Sequence, residues 1–115
     1  MANFANATKL AEHFFDHGPE FGVRSEAEYL KLANDFFNRP FNPSSMVQYT
    51  RSRFDVVRYD KNTGEFGVKA KDDMTIRTFF KPIPCRQAAP AIVALNRCHP
   101  FADNEEYFDQ ECSKW

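Results

Sequence analysis

Apolar and polar residues alternate most regularly between Val56 and Pro82, and the alternation predicts three β-strands joined by two tight turns. Val56, Val57 and Tyr59 favour a strand. Lys61-Asn62-Thr63-Gly64 is turn chemistry, with Gly64 free to take positive φ and Asn62 able to hydrogen-bond its own backbone. From Glu65 to Lys71, Phe66, Val68 and Ala70 share one face and Glu65, Gly67, Lys69 and Lys71 the other, which predicts one core face and one wet face. Asp72-Asp73 turns the chain into Thr75–Lys81, where Ile76, Thr78 and Phe80 oppose Thr75, Arg77 and Phe79. Pro82 then ends pairing because it has no N–H to give. Met46–Phe54 adds a strand ahead of these three, so the sheet is expected to have four antiparallel strands.

Helical periodicity flanks this block. Thr8 is the expected N-cap of a first helix with Leu10, Phe14 and neighbouring apolar residues on one side, ending at Gly18-Pro19. His13 and His17 stand four apart in it and so share a face, with His17 in the last turn, where the helix dipole favours a cation. Ser25 and Glu28 read as a capping box opening a second helix of about a dozen residues. Its stripe Tyr29, Leu32, Ala33, Phe36 and Phe37 should pack on the sheet. After Pro82 the pattern is mostly loop, with a short segment at Ala91–Leu95. Asn104 is then the expected cap of a last helix whose Tyr107 and Phe108 pin the C-terminus to the body. The sum is an α+β chain of 115 residues, about the length of one domain.

Composition narrows this picture. No apolar run approaches the roughly 20 residues of a membrane helix, and MANFANATKL lacks a secretory pattern, so the chain as written is expected to be soluble. Three widely spaced cysteines (Cys85, Cys98, Cys112) fit no disulfide framework or metal knuckle, and reduced thiols are expected. The net charge of -1 is unevenly spread. Residues 47–87 hold nine Lys/Arg against five Asp/Glu, whereas residues 1–46 hold four against six and residues 88–115 two against five. The sheet region is therefore basic. Such a surface suits either a solvated strand face or a phosphate backbone.

A histidine pair beside a basic sheet bearing Arg77 and Thr78 supplies the parts for RNA cleavage without a metal. A base takes the 2′-hydroxyl proton, the oxygen attacks the adjacent phosphate, and cations stabilise the developing charge. The competing account of the same residues is structural, with His13 packed and His17 a favourable helix residue. A zinc reading uses the histidines with Cys98-His99, but His13-Phe14-Phe15-Asp16-His17 lacks the glutamate of the H-E-x-x-H arrangement. Arg77 and Thr78 present a further question. Adjacent strand residues point to opposite faces, so both can meet one substrate only if a bulge or strand end re-aims one of them.

The runs LAEHFFDHGPEFG, SEAEYLKLANDFFNRP, VVRYDKNTGEFGVKAKDDMTIRTFFKP and EEYFDQEC, in that order from Leu10 to Cys112, resemble the C-terminal tRNase toxin domains of CdiA contact-dependent growth inhibition effectors. They also resemble the wider barnase/EndoU/colicin/RelE-like nucleases. The resemblance implies N-terminal helices on a twisted antiparallel sheet, with the active site between a helical histidine and the sheet. It implies His17 as acid/base, Thr78 and Arg77 as contacts to the scissile phosphate, and His13 as a further catalytic candidate. Arg58, Lys69 and Lys81 are expected to bind substrate. No cofactor or metal is expected. The implied partners are tRNA and a cognate immunity protein, with a translation elongation factor left open, and the domain would be delivered as part of a larger effector into a target bacterium. Against a family that acts on RNA, a slightly acidic chain is a departure, and Cys85–Pro100 is a stretch that does not align with the family pattern, left open as a place for contacts to substrate or an immunity protein. The runner-up is a non-catalytic RNA-binding or phage accessory module of the same fold.

Overall fold

A computed structural model describes residues 2–51 and 53–114. In chain order the elements are β1 (Asn3–Phe4), α1 (Ala7–Phe21), α2 (Glu26–Asn38), β2 (Met46–Thr50), β3 (Val56–Asp60), β4 (Phe66–Lys69), β5 (Thr75–Phe80), a 3-10 turn (Cys85–Gln87), α3 (Pro90–Ala94) and α4 (Asn104–Cys112). The α+β class is as expected, but the sheet has five strands in the order β1-β5-β4-β3-β2. β2 to β5 form the expected antiparallel meander. The added strand, β1, pairs parallel with β5 through Asn3–Thr75 and Phe4–Ile76, which makes the sheet mixed. Two residues carry no readable period, so β1 left no signal in the sequence.

Both faces of the sheet are covered, which corrects the expectation of a wet face. On one face α1 and α2 bury Tyr29, Ala33 and Phe36 with Phe4, Ile76 and Phe79. On the other, α4 lays Phe108 over Val57, Tyr59, Phe66 and Val68. Gly67 is the reason α2 approaches so closely. A Cβ there would lie 2.6 Å from the Phe37 ring and 3.1 Å from that of Phe36, so the glycine read as a wet-face position is a helix contact.

A β-bulge falls in β5. Val68 pairs with Thr78 and Lys69 with Ile76, leaving Arg77 as the extra residue. Strand alternation is thereby reset, so that Ile76 and Phe79 join the same core while Thr78 and Phe80 face α4.

Helix N-termini follow capping chemistry with shifts of up to two residues. Asn6 caps α1 by accepting from the Lys9 N–H, in place of Thr8. α1 runs through Gly18-Pro19 to Phe21 and ends at Gly22, whose φ of 68° is left-handed. Pro19 removes one helical bond, but the extra turn stacks Phe21 on Phe79 at 4.6 Å, and that packing outweighs the local break. His17 is therefore not in the last turn. Ser25 caps α2 as expected, although Glu28 reaches back to the N–H of Arg24. Asp103 rather than Asn104 caps α4.

Cys85 and Cys98 form a disulfide, correcting the expectation of three reduced thiols, and Cys112 is free. The pairing joins the segment after β5 to the stretch before α4, two loops whose proximity is a tertiary fact. Backbone bonds from Cys85 N to His99 O (2.8 Å) and from His99 N to Ile83 O (3.0 Å) run beside it.

Candidate active site

A cleft of about 250 Å³ opens where α1, the end of β5, the 96–99 segment and α4 meet; Asp16, His17, Glu20, Phe80, Arg97 and His99 are among its lining residues. His17 comes from α1 and its ring stacks on Phe80 at 4.9 Å. Its Nδ1 lies 2.7 Å from Glu20 Oε2, three residues on along the helix. A carboxylate oxygen accepts, so Nδ1 is the donor in this pair, and in the neutral form of the ring Nε2 is left as the basic nitrogen. Glu20 is itself fixed, because its Oε1 accepts from the Lys81 N–H at 2.7 Å. The His17 side chain remains 22% exposed, enough to meet a ligand.

From the loop side, Arg97 reaches Asp16, its Nη2 3.3 Å from the carboxylate and its Nη1 3.3 Å from the carbonyl. His99 is only 6% exposed. It stacks on Tyr107 at 4.6 Å and its Nε2 donates to Asn104 Oδ1 at 2.8 Å. Burial, reinforced by hydrogen bonding to Glu111 and by that residue's charge, raises the Tyr107 phenol, which stays protonated. His17, Phe80, Tyr107 and His99 thus form a continuous run of ring contacts across the cleft.

The remaining expected site residues separate. His13 lies on the His17 face of α1, with ring centroids 6.2 Å apart, but it is stacked on Phe4 at 4.8 Å and its buried Nδ1 has no partner. Its pKa is lowered first by burial and then by His17. It is a packed neutral ring and does not line the cleft. Arg77 donates from Nε to Asp55 Oδ2 at 2.9 Å, and Thr78 sits beside it on the α4 face; neither lines the cleft. At about 3.4 Å per strand residue, Thr78 is about 7 Å and Arg77 about 10 Å along β5 from Phe80. The bulge that could have brought the two together instead gives Arg77 to Asp55.

Arg58 and Lys69 are placed as structural cations, against the expectation of substrate contacts. Arg58, 6% exposed, directs Nη1 at the carbonyls of Phe36 (2.8 Å), Phe37 (3.2 Å) and Arg39 (2.8 Å), closing the C-terminus of α2. Lys69 lies over the Phe37 ring and pairs with Asp73. Lys81 extends its ammonium over Phe21, 5.1 Å from the ring centre, next to the cleft.

Sequence reasoning missed Glu20, Arg97 and His99 as members of this site. Glu20 stands three residues after His17, but Gly18-Pro19 was expected to end the helix before it, so their shared face shows only once α1 continues to Phe21. Arg97 had none, and His99 was weighed only as a zinc ligand, since both arrive through the disulfide-bridged excursion. Cys98, once a candidate zinc ligand, has its sulfur bonded to Cys85. Among the described residues no group of three or more His, Cys, Asp and Glu is arranged to hold a metal, and no helix is long and apolar enough to cross a membrane. No protein-family model and no curated protein matches the chain.

Proposed function

We propose that the protein is a metal-independent endoribonuclease that cleaves tRNA by 2′-oxygen attack on the adjacent phosphorus, breaking its bond to the 5′-oxygen, which takes up a proton and leaves as a 5′-hydroxyl opposite a 2′,3′-cyclic phosphate, with His17 as the proton-transfer residue. The observation that carries the reading is the Glu20–His17 pair on the cleft wall. A carboxylate fixes one ring nitrogen and leaves the other as a base facing the cleft, an arrangement in which the base is itself oriented by a third group. Arg97 supplies the cation. Its pair with Asp16 is half-exposed on both sides, and such pairs contribute only about 0–1 kcal/mol, so a phosphate that accepts two N–H bonds can displace the carboxylate. Lys81 and, further along β5, Thr78 and Arg77 would meet neighbouring parts of an extended RNA.

The choice of tRNA, the barnase-like classification, an immunity protein over the cleft and delivery from a larger effector into another bacterium rest on the sequence resemblance and are proposed with it. Incubating the purified protein with total tRNA in EDTA tests the activity. Discrete cuts ending in 2′,3′-cyclic phosphate support the enzyme. Intact RNA with a mobility shift supports the non-catalytic binding module, and intact, unshifted RNA removes both.

A further inference from the structure

The order β1-β5-β4-β3-β2 leaves β2 as a sheet edge. Its sequence, Met46-Val47-Gln48-Tyr49-Thr50, has no charge and no proline, the devices that ordinarily keep an edge from pairing. The ladder with β3 shows which backbone groups point away. Lys61 N donates to Ser45 O at 2.7 Å and Arg51 N donates to Asp55 O at 2.8 Å, one bond at each end of the pairing. In an antiparallel ladder this turns residues 45, 47, 49 and 51 towards β3 and turns Met46, Gln48 and Thr50 outward. The Met46 N–H is already used, donating to Asn42 O at 2.7 Å, whereas Gln48 and Thr50 are exposed.

We propose that this edge is an interface with a second copy of the chain, β2 pairing antiparallel with β2 about a two-fold axis at Gln48. The strand is complementary to itself in that register. Gln48 faces Gln48, and each donates its N–H to the other's carbonyl. Thr50 faces Met46 of the second copy and donates to the one outward Met46 group not already bonded. Val47 faces Tyr49 of the second copy at the closer, non-hydrogen-bonded positions, an aromatic and β-branched pair that stabilises sheets. Tyr49, 51% exposed in one copy, would be covered. With no charged side chain in the strand, self-pairing sets no like charges directly opposite. The cleft borders β5, three strands away or about 14 Å across the sheet at the usual spacing, so both copies would keep it open.

Two variants and sedimentation equilibrium test the interface. An edge-to-edge contact is small, so the wild type should weigh twice 13.4 kDa at a concentration on the order of 100 μM and dissociate on dilution of roughly 100-fold. Gln48→Pro removes an outward N–H without touching the β2–β3 ladder, and should remain at 13.4 kDa under the same conditions. Gln48→Cys in a Cys112→Ser background should form an interchain disulfide on mild oxidation. Facing hydrogen-bonded residues have Cα atoms about 5.5 Å apart, within the disulfide range. This crosslink decides the question if Gln48→Pro fails to fold. A wild type that stays at 13.4 kDa at the higher concentration overturns the proposal, as does a dimer that Gln48→Pro leaves intact and Gln48→Cys does not crosslink.

Discussion

Replacing Arg58 separates a phosphate contact from a structural cation. Its Nη1 can donate two hydrogens, and the two shortest of its three carbonyl contacts, to Phe36 and Arg39 at 2.8 Å each, account for them. Hydrogen bonds from a charged donor contribute about 1.5–3 kcal/mol each, and losing them leaves carbonyls at the end of α2 without a partner. Part of that gain is offset in the native protein, since burial, followed by Arg39, already lowers the Arg58 pKa. A net loss of about 3 kcal/mol for Arg58→Ala is the expected outcome. For a chain of this size that corresponds to a fall of about 12 °C in melting temperature, taking about 4 °C per kcal/mol. Arg58→Lys keeps one donor in reach and should fall between. The assay is thermal melting followed by circular dichroism, with RNA affinity measured below the transition. If Arg58→Ala melts within about 2 °C of wild type while RNA affinity drops, the structural assignment is refuted.

Glu20→Gln should slow cleavage by roughly 10- to 100-fold at unchanged RNA affinity, because an amide can accept for only one of the two donors Glu20 now serves; an unchanged single-turnover rate would contradict its orienting role. His13 has its pKa lowered from 6.5, so the unfolded chain binds its proton first as pH falls. Its contribution to stability is complete above pH 6.5 and declines as pH falls through the folded value. Urea unfolding from pH 8 to 5 should show this slope, and His13→Phe, which keeps the stack on Phe4, should flatten it. Reducing the Cys85–Cys98 bridge, which spans a separation of 13 residues, should cost about 3 kcal/mol and weaken cleavage, since Arg97 and His99 flank it. Thiol titration of the oxidised protein should find only Cys112, slow to react because burial holds its pKa at about 11.

The parts of the fold that show in the sequence are those built by local periodicity. The meander from β2 to β5, the Ser25 cap and the aromatic anchor on α4 each rest on side chains within a few residues of one another. What escaped depends on contacts distant along the chain. β1 is held by Ala2 and Phe4 packing under α2 and by one parallel pairing with β5. Gly67 looked like a wet-face residue because the approach of Phe36 and Phe37 is set by helix packing. The bulge at Arg77 inverted the face of Phe79, and alternation alone has no means of reporting an extra residue. At the site, the shared face of His13 and His17 was legible from their spacing, whereas Arg97 and His99 depend on the Cys85–Cys98 link between loops of weak pattern. Arg58 and Lys69 misled for a related reason. Their charge is visible in sequence, but their partners, three carbonyls in one case and a ring with a carboxylate in the other, belong to other elements.

Single-turnover cleavage of total tRNA in EDTA by wild type and His17→Ala decides whether His17 carries the proposed proton transfer. Both proteins should be folded by thermal melting and should bind RNA equally, because the proposed phosphate contacts would come from Arg97 and β5. Discrete cleavage by wild type and a rate at least about 100-fold lower in the variant are expected. Wild-type cleavage by folded His17→Ala would contradict the proposed role of His17.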